Sequence, residues 1–439
     1  MRPSALLSLL MLLFVGTASS IAQPAPAGET VVIHAGTLLD QPGRAPRRNA
    51  TIVVRDGRIE SASDGFVPAP AGARLIDLSD RFVLPGLIDS HVHLTSDRAG
   101  VEGQLAEITD SVPLRAYEAA WNARKTLDAG FTTVRNLGSD DGVTLGLRDA
   151  IARGWAVGPR IIDAGTSISS TTGHMDPTLG VREDFHEVLR ASGSTCDGAD
   201  DYRRAVRRQI ARGVDVIKIA TTGGDNSRMG LGLGAQMFED EVRAVVETAH
   251  LYGRKVAVHA HGADGIILAL RAGADSIEHG TLLDDEGIRL FRQTNAYYVP
   301  TLSTVNGYIE RLRANPNAYV GEVREKIEWR IGITRQSLRR AFPAGVRIAF
   351  GTDAGVSMHG RNADEVLLMV EHGRDPMSAI VPATVNAADL LGLSGEVGTI
   401  EPGKRADIVA VRGDPLADVG VLRQMSFVMA RGRVHRLEP

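Results

Sequence analysis

His91 and His93 stand two apart in PGLIDSHVHL. Alternate residues of a strand point to one face, so both imidazoles can reach a single cation. Further along, His259 ends KVAVHAHG, His279 ends DSIEHG and Asp353 ends VRIAFGTDAG, each after an apolar run that reads as a strand. Imidazole and carboxylate are ordinary ligands of zinc and similar divalent ions, so this spacing points to a metal centre. Lys218 closes GVDVIKIA in the same way, yet its positive charge should be repelled by cations. Among Val216, Ile217 and Ile219 a free ammonium is costly unless it is paired or chemically changed. Asp89 shares the strand face of the two histidines and reads as a supporting residue.

Other polar residues lie close to these runs. His174 in TTGHMD and His261 in HAHG are candidates for a hydrogen bond to a substrate carbonyl, or for orienting the ligands. Arg228 in DNSRMG would hold a substrate carboxylate with its guanidinium fork, with Tyr297 and Tyr298 as alternatives for that task. His359 in SMHGRNADE is a candidate for the pocket lining, whereas His34, His186, His250, His372 and His435 read as surface or packing residues. Cys196 is the only cysteine and sits in a polar stretch, so disulfides within the chain and a cysteine metal site are both excluded.

The elements that must position these groups follow from hydrophobic periodicity. Eight β-type runs, FVLPGLIDSHVHL, FTTVRNLG, RIIDAG, VDVIKIA, KVAVHA, DSIEHG, YYVPTL and VRIAFGTD, alternate with helical stretches such as ADDYRRAVRRQIARG and EDEVRAVVETAHLYG. Eight β/α units predict an α/β fold of the (β/α)8 TIM type over residues 85–393, with its site at the strand C-termini, where all six candidate ligands lie. Residues 30–84 and 394–436 are rich in short β-type runs and turns, with Asp56-Gly57 as a hairpin signal. They predict one small β-sandwich built from both chain ends. Stretches 166–200, 221–237, 303–333 and 354–363 are expected to form loops around the pocket rim.

A chain of 439 residues with 43% hydrophobic content can bury a large core. Its net charge of −4, with both signs interspersed, excludes a basic footprint for nucleic acid or a membrane surface. Residues 1–22 combine a short basic start, an apolar stretch from Ala5 to Val15 and a small-x-small ending at Ala22, which reads as a signal peptide. A periplasmic or secreted protein, free of the membrane after cleavage, is expected.

The words RGVDVIKIATTGG, VAVHAHG, SIEHGT and FGTDAG, in this order after PGLIDSHVH, resemble the amidohydrolase superfamily. Within it they look most like the Xaa-Pro dipeptidase-like and imidazolonepropionase-related branch, which includes ochratoxin-hydrolysing amidases. The resemblance implies two divalent ions, zinc the expected metal, bridged by a carboxylated Lys218. His91 and His93 would hold one ion with Asp353, and His259 and His279 the other, while Asp353 would also shuttle a proton. It implies hydrolysis of an amide or peptide bond to a C-terminal amino acid, in an Xaa-Pro dipeptide or an N-acyl amino acid such as an ochratoxin-type phenylalanine amide. A homo-oligomer acting on a small molecule or dipeptide is expected. A lactonase or organophosphate hydrolase, a deaminase of cyclic amidines and a non-enzymatic scaffold are the rival readings.

Overall fold

The computed structural model describes residues 29–98, 100–139, 142–227 and 232–438. The expected leader, residues 1–22, and Arg228 lie outside the described residues.

The chain opens with β1 (Thr30–Leu38), β2 (Arg47–Arg55), β3 (Arg58–Asp64) and β4 (Arg74–Pro85). Asp56 and Gly57 join β2 to β3 with φ of 51° and 74°, the left-handed pair that a two-residue hairpin turn demands. Next come β5 (Leu87–Val92), β6 (Phe131–Asn136) and β7 (Arg160–Asp163), paired in parallel in that order. A short parallel pair follows, β8 (Ser169–Ser170) and β9 (Thr195–Cys196). A second parallel sheet contains β10 (Val216–Ala220), β11 (Lys255–Ala260), β12 (Ser276–His279) and β13 (Tyr297–Val299). The chain closes with β14 (Ile408–Val411), β15 (Met425–Ala430) and β16 (Arg433–Leu437).

Both chain ends share one seven-stranded sheet of order β16-β15-β14-β4-β1-β2-β3, antiparallel except where β1 meets β4. The long β4 serves two neighbours: its first part lies beside β1, and Phe82–Pro85 pair with β14. Between them the register shifts at Ala35/Thr37, and the backbone of β1 passes so close that a Cβ on Gly36 would sit 2.0 Å from the Ser79 carbonyl oxygen. Alternate residues of β1, β2, β4, β14 and β15, among them Ile33, Ile52, Leu78, Ala410 and Phe427, form one apolar core. The opposite face of β14 and β15, with Val409, Val411 and Val428, joins the larger core of the parallel sheets. Where a sandwich was expected, the two chain ends form a single hydrogen-bonded sheet with its own core.

Strands β5, β6, β10 and β12 are buried along their whole length, as parallel strands covered on both faces must be. The helices Val112–Asp128, Val143–Ala152, Glu239–Leu251, Ala263–Ala272 and Asp285–Gln293 supply the crossovers. Between the two parallel sheets, the Asp215 N–H donates to Asp163 at 2.8 Å, and Ile168 bridges Ile219 in parallel.

Two expectations need correction. VRIAFGTD is extended but makes only isolated bridges, Ile348 to Tyr298 on one side and Ala354 to Val92 on the other. Two of its residues divert their donors: the Phe350 N–H goes to the Pro382 carbonyl, and the Thr352 N–H and hydroxyl go to the Asp89 carboxylate. The stretch 303–333 is largely helical, as Ser303–Ala314 and Gly321–Ile333. Tyr308, Ile327 and Arg330 turn inward at helical spacing, and Gly321 enters the second helix at φ 57°.

Candidate metal centre and catalytic site

The two histidines at the end of β5 meet Asp353 from the irregular segment beside it. His91 Nε2 lies 3.5 Å and His93 Nε2 3.3 Å from Asp353 Oδ1, a buried oxygen with no hydrogen-bond partner among the described residues. Potential ligand atoms of all three fall within 4.8 Å of one another.

Ring protonation follows from what each other nitrogen touches. His91 Nδ1 is 2.9 Å from Glu278 Oε2 and His93 Nδ1 is 3.4 Å from the Gly138 carbonyl, both pure acceptors. Each ring therefore carries its proton on Nδ1 and turns a bare Nε2 toward Asp353. His259 is reversed: its Nε2 lies 3.4 Å from the Gly223 carbonyl, which leaves Nδ1 free. His279 is held through Nδ1 by the Thr301 hydroxyl at 2.8 Å. The four rings form one cluster, with centroids 5.4 Å apart for His91–His93, 5.1 Å for His91–His279 and 4.6 Å for His259–His279.

Burial, before any charge effect, pushes His91 and His93 down to about 4, and it also holds His259 and His279 well below the usual range. Neutral imidazoles of this kind are ready to bind a cation without losing a proton. Lys218 is 1% exposed, and burial lowers its ammonium to about 8 even though Glu278 and Asp353 oppose the shift. Its positive charge adds to the lowering of His91, His93, His174 and His259.

Glu278 is fully buried and accepts from His91, from Arg135 Nη2 at 2.8 Å and from Ser276 Oγ at 2.5 Å. Burial raises its pKa, but the Arg135 guanidinium and the His91 hydrogen bond outweigh that and leave it at about 2. Arg135 also donates to the Ser90 carbonyl at 2.6 Å, next to His91. Asp89 accepts from the His91 N–H, from Thr352 and from the Asn362 amide, so it fixes the backbone of both ligand-bearing segments. Burial raises its carboxyl to about 6.

The remaining candidates divide. His174 stacks on His259 at 4.2 Å, its Nδ1 buried without a hydrogen-bond partner among the described residues, and a Cβ on Gly224 would run into its ring at 2.1 Å. His261 packs on His259 and His279 at 4.6 and 5.0 Å. The Tyr298 hydroxyl, expected as a substrate contact, donates to the His279 carbonyl at 3.1 Å inside the core. Tyr297 is bound to Asp389 and Arg347, at the start of its strand and away from the ligand-bearing ends. His359, expected in the pocket lining, has both nitrogens engaged by Thr126 and the carbonyls of His93 and Ser96. Sequence reasoning missed Glu278, Arg135 and Arg330, the last a 1% exposed cation on the helix Gly321–Ile333 that donates to His261 Nδ1 at 2.6 Å.

The donor set suits divalent cations: bare imidazole nitrogens and an unpartnered carboxylate oxygen converge in a buried place where they cannot satisfy one another. The pattern of the amidohydrolase family matches residues 82–435, and the chain belongs to that family of metal-dependent hydrolases. It is an enzyme that hydrolyses carbon–nitrogen bonds in small molecules. It is 32% identical to ochratoxinase of Aspergillus niger over 419 residues, covering 91% of this chain and 85% of the relative. A crystal structure of an Xaa-Pro dipeptidase with bound methionine in its active site is 39% identical with a TM-score of 0.88, covering 93% of this chain and 100% of that one. A prolidase complexed with N-methylphosphonate-L-proline is 30% identical with a TM-score of 0.84, at 93% and 100% coverage.

Proposed function

We propose that the protein is an exported binuclear metal hydrolase that cleaves the amide bond to a C-terminal amino acid, in Xaa-Pro dipeptides or N-acyl amino acids of the ochratoxin type. The observation that carries the reading is the convergence of His91 Nε2 and His93 Nε2 on Asp353 Oδ1, unpartnered among the described residues, with the rings of His279 and His259 packed beside them. Similarity to a dipeptidase, a prolidase and ochratoxinase supports the substrate class. The parallel sheets β5–β7 and β10–β13, with segment 347–354 bridged to both β13 and β5, are read as eight staves of one barrel.

His91, His93 and Asp353 would hold one ion, His259 and His279 the other, with carboxylated Lys218 between them. A lysine with its pKa near 8 is partly neutral at physiological pH, which is the state that reacts with carbon dioxide. When bound, such ions, zinc the proposed pair, supply an acidified water and polarise the scissile carbonyl. Asp353 accepts a proton and delivers it to the leaving amine; burial, which raises its carboxyl, suits it to that exchange. His174 and His261 border the same space and orient the carbonyl oxygen.

The deciding experiment incubates the metal-loaded enzyme with dipeptides, N-acyl amino acids, lactones and cyclic amidines, and reads the released product. Release of an amino acid at a kcat/KM at least tenfold above that for any lactone or amidine is expected. The reverse ranking would reassign the site. Asp353→Asn should keep most of its metal and lose at least about a hundredfold in kcat, since a proton carrier contributes on that order. Near-normal turnover would remove Asp353 from the proton path. N-terminal sequencing of the protein recovered outside the cytoplasm tests export, with a start just after Ala22 expected.

A further inference from the structure

The cluster holds histidines in opposite tautomers, and one buried arginine touches the ring of His261. We propose that Arg330 is the positioning residue that fixes His261 with its proton on Nε2, making that ring a hydrogen-bond donor to substrate and not a metal ligand. Arg330 Nη1 donates to His261 Nδ1 at 2.6 Å and also to the Thr281 hydroxyl. A guanidinium offers donors only, so the nitrogen it touches must present a lone pair. An imidazolium has none, and the Nδ1–H tautomer has its lone pair on the other nitrogen. His261 is therefore neutral with hydrogen on Nε2. The Thr281 hydroxyl, 2.7 Å from the same Nδ1, can rotate to suit this arrangement and does not compete with it.

The donor so created has no acceptor among the described residues. His261 Nε2 is buried and lacks a hydrogen-bond partner among the described residues; the nearby Asp225 Oδ1 is 3.9 Å away, too far for a hydrogen bond. A buried unsatisfied N–H costs about 1–3 kcal/mol, a cost removed if a ligand oxygen completes it. His91 and His93 show the contrast, since carbonyl and carboxylate acceptors on Nδ1 leave their Nε2 atoms bare. Acceptors behind a ring make a ligand, and a donor behind a ring makes a donor. The helix Gly321–Ile333 is fixed to the site through this contact, so a segment remote in sequence selects the role of His261. The proposed hydrolysis enters only in naming the acceptor, the scissile carbonyl oxygen of the amide.

The test uses the full chain, zinc-loaded and 15N-labelled at histidine, with His261 assigned by comparison with His261→Gln. Long-range proton–nitrogen spectra should show His261 as a neutral ring protonated on Nε2. A proton on Nδ1, or a metal-shifted nitrogen, in the unaltered protein would overturn the proposal. Arg330→Met should give mixed tautomers at His261 and lower kcat about 10- to 100-fold with little change in KM, as expected when an orienting partner is removed. Arg330→Lys, which keeps a donor, should retain the Nε2–H signal and recover part of the rate. A pure Nε2–H signal with unchanged kcat in Arg330→Met would also refute it. Failure of the unaltered enzyme to cleave any amide would sink the hydrolase reading, while the spectra would still decide the tautomer.

Discussion

His279, Thr301 and Asp353 hold left-handed backbone conformations, with φ of 71°, 50° and 55°. Each costs a residue with a side chain on the order of 1–2 kcal/mol, and such strain gathers where a site needs side chains aimed against the regular pattern. At the end of β12, strict alternation would send Glu278 and His279 to opposite faces. With the left-handed turn at His279, both reach His91, one by a hydrogen bond and the other by ring contact. The spaced histidines and the misfit lysine were legible because ligand chemistry restricts residue type. Glu278 was not, since periodicity places it outward and its partner His91 is 187 positions away. Two expectations belong here. Glu278→Gln removes a pure acceptor behind His91, so metal affinity should fall about 10- to 100-fold in competition with a chelator. Unchanged affinity would mean that Glu278 serves only Arg135. Lys218→Ala should lose metal and regain part of its activity with added acetate or propionate; full activity without rescue would rule out the bridging carbamate.

At the scale of elements, the second of the two helices within 303–333 carries Arg330, and the first is tied back to the rest in part by the buried carboxyl of Glu365. Glu365 accepts from the Leu302 N–H at 2.9 Å and from the Ser303 N–H and hydroxyl at 2.7 Å, joining the start of Ser303–Ala314 to the helix Asp364–Glu371. Burial raises its pKa from 4.5 to about 8. With the folded value above the unfolded one, the stability from this group is full below pH 4.5 and is lost as pH rises through about 8. Glu365→Gln should therefore be less stable at pH 7 by about 1–3 kcal/mol, having one acceptor where two were used, yet show a flatter decline between about pH 5 and 8 in denaturant titrations. A slope as steep as that of the unaltered protein would place the titration elsewhere. These helices escaped the sequence reading because their polar surface resembles a loop and only Tyr308, Ile327 and Arg330 mark an inner side. The seven regular parallel strands were readable from their apolar runs. The eighth run is interrupted by side-chain bonds from Asp89, which periodicity does not report.

For the whole molecule, burial of the cluster sets the pH range over which metal is retained. Protons and cations compete for the same nitrogens, and His91 and His93 take up protons only near pH 4, whereas solvated histidines do so near 6.5. Metal content after dialysis should hold at pH 5.5 and fall as pH drops through about 4; half-loss near 6.5 would show that water reaches the rings. Stability has the same sign, because the unfolded chain gains these protons first and the folded state weakens as pH falls from 6.5 toward 4. The shared sheet of the chain ends has a consequence in time. As the chain leaves the ribosome, β4 is made early, but its partner β14 follows more than three hundred residues later. Until then one side of Phe82–Pro85 is an open strand edge, able to join any other extended segment. The order of synthesis therefore gives the newborn chain a long interval of vulnerability to aggregation, which ends only when its last residues arrive.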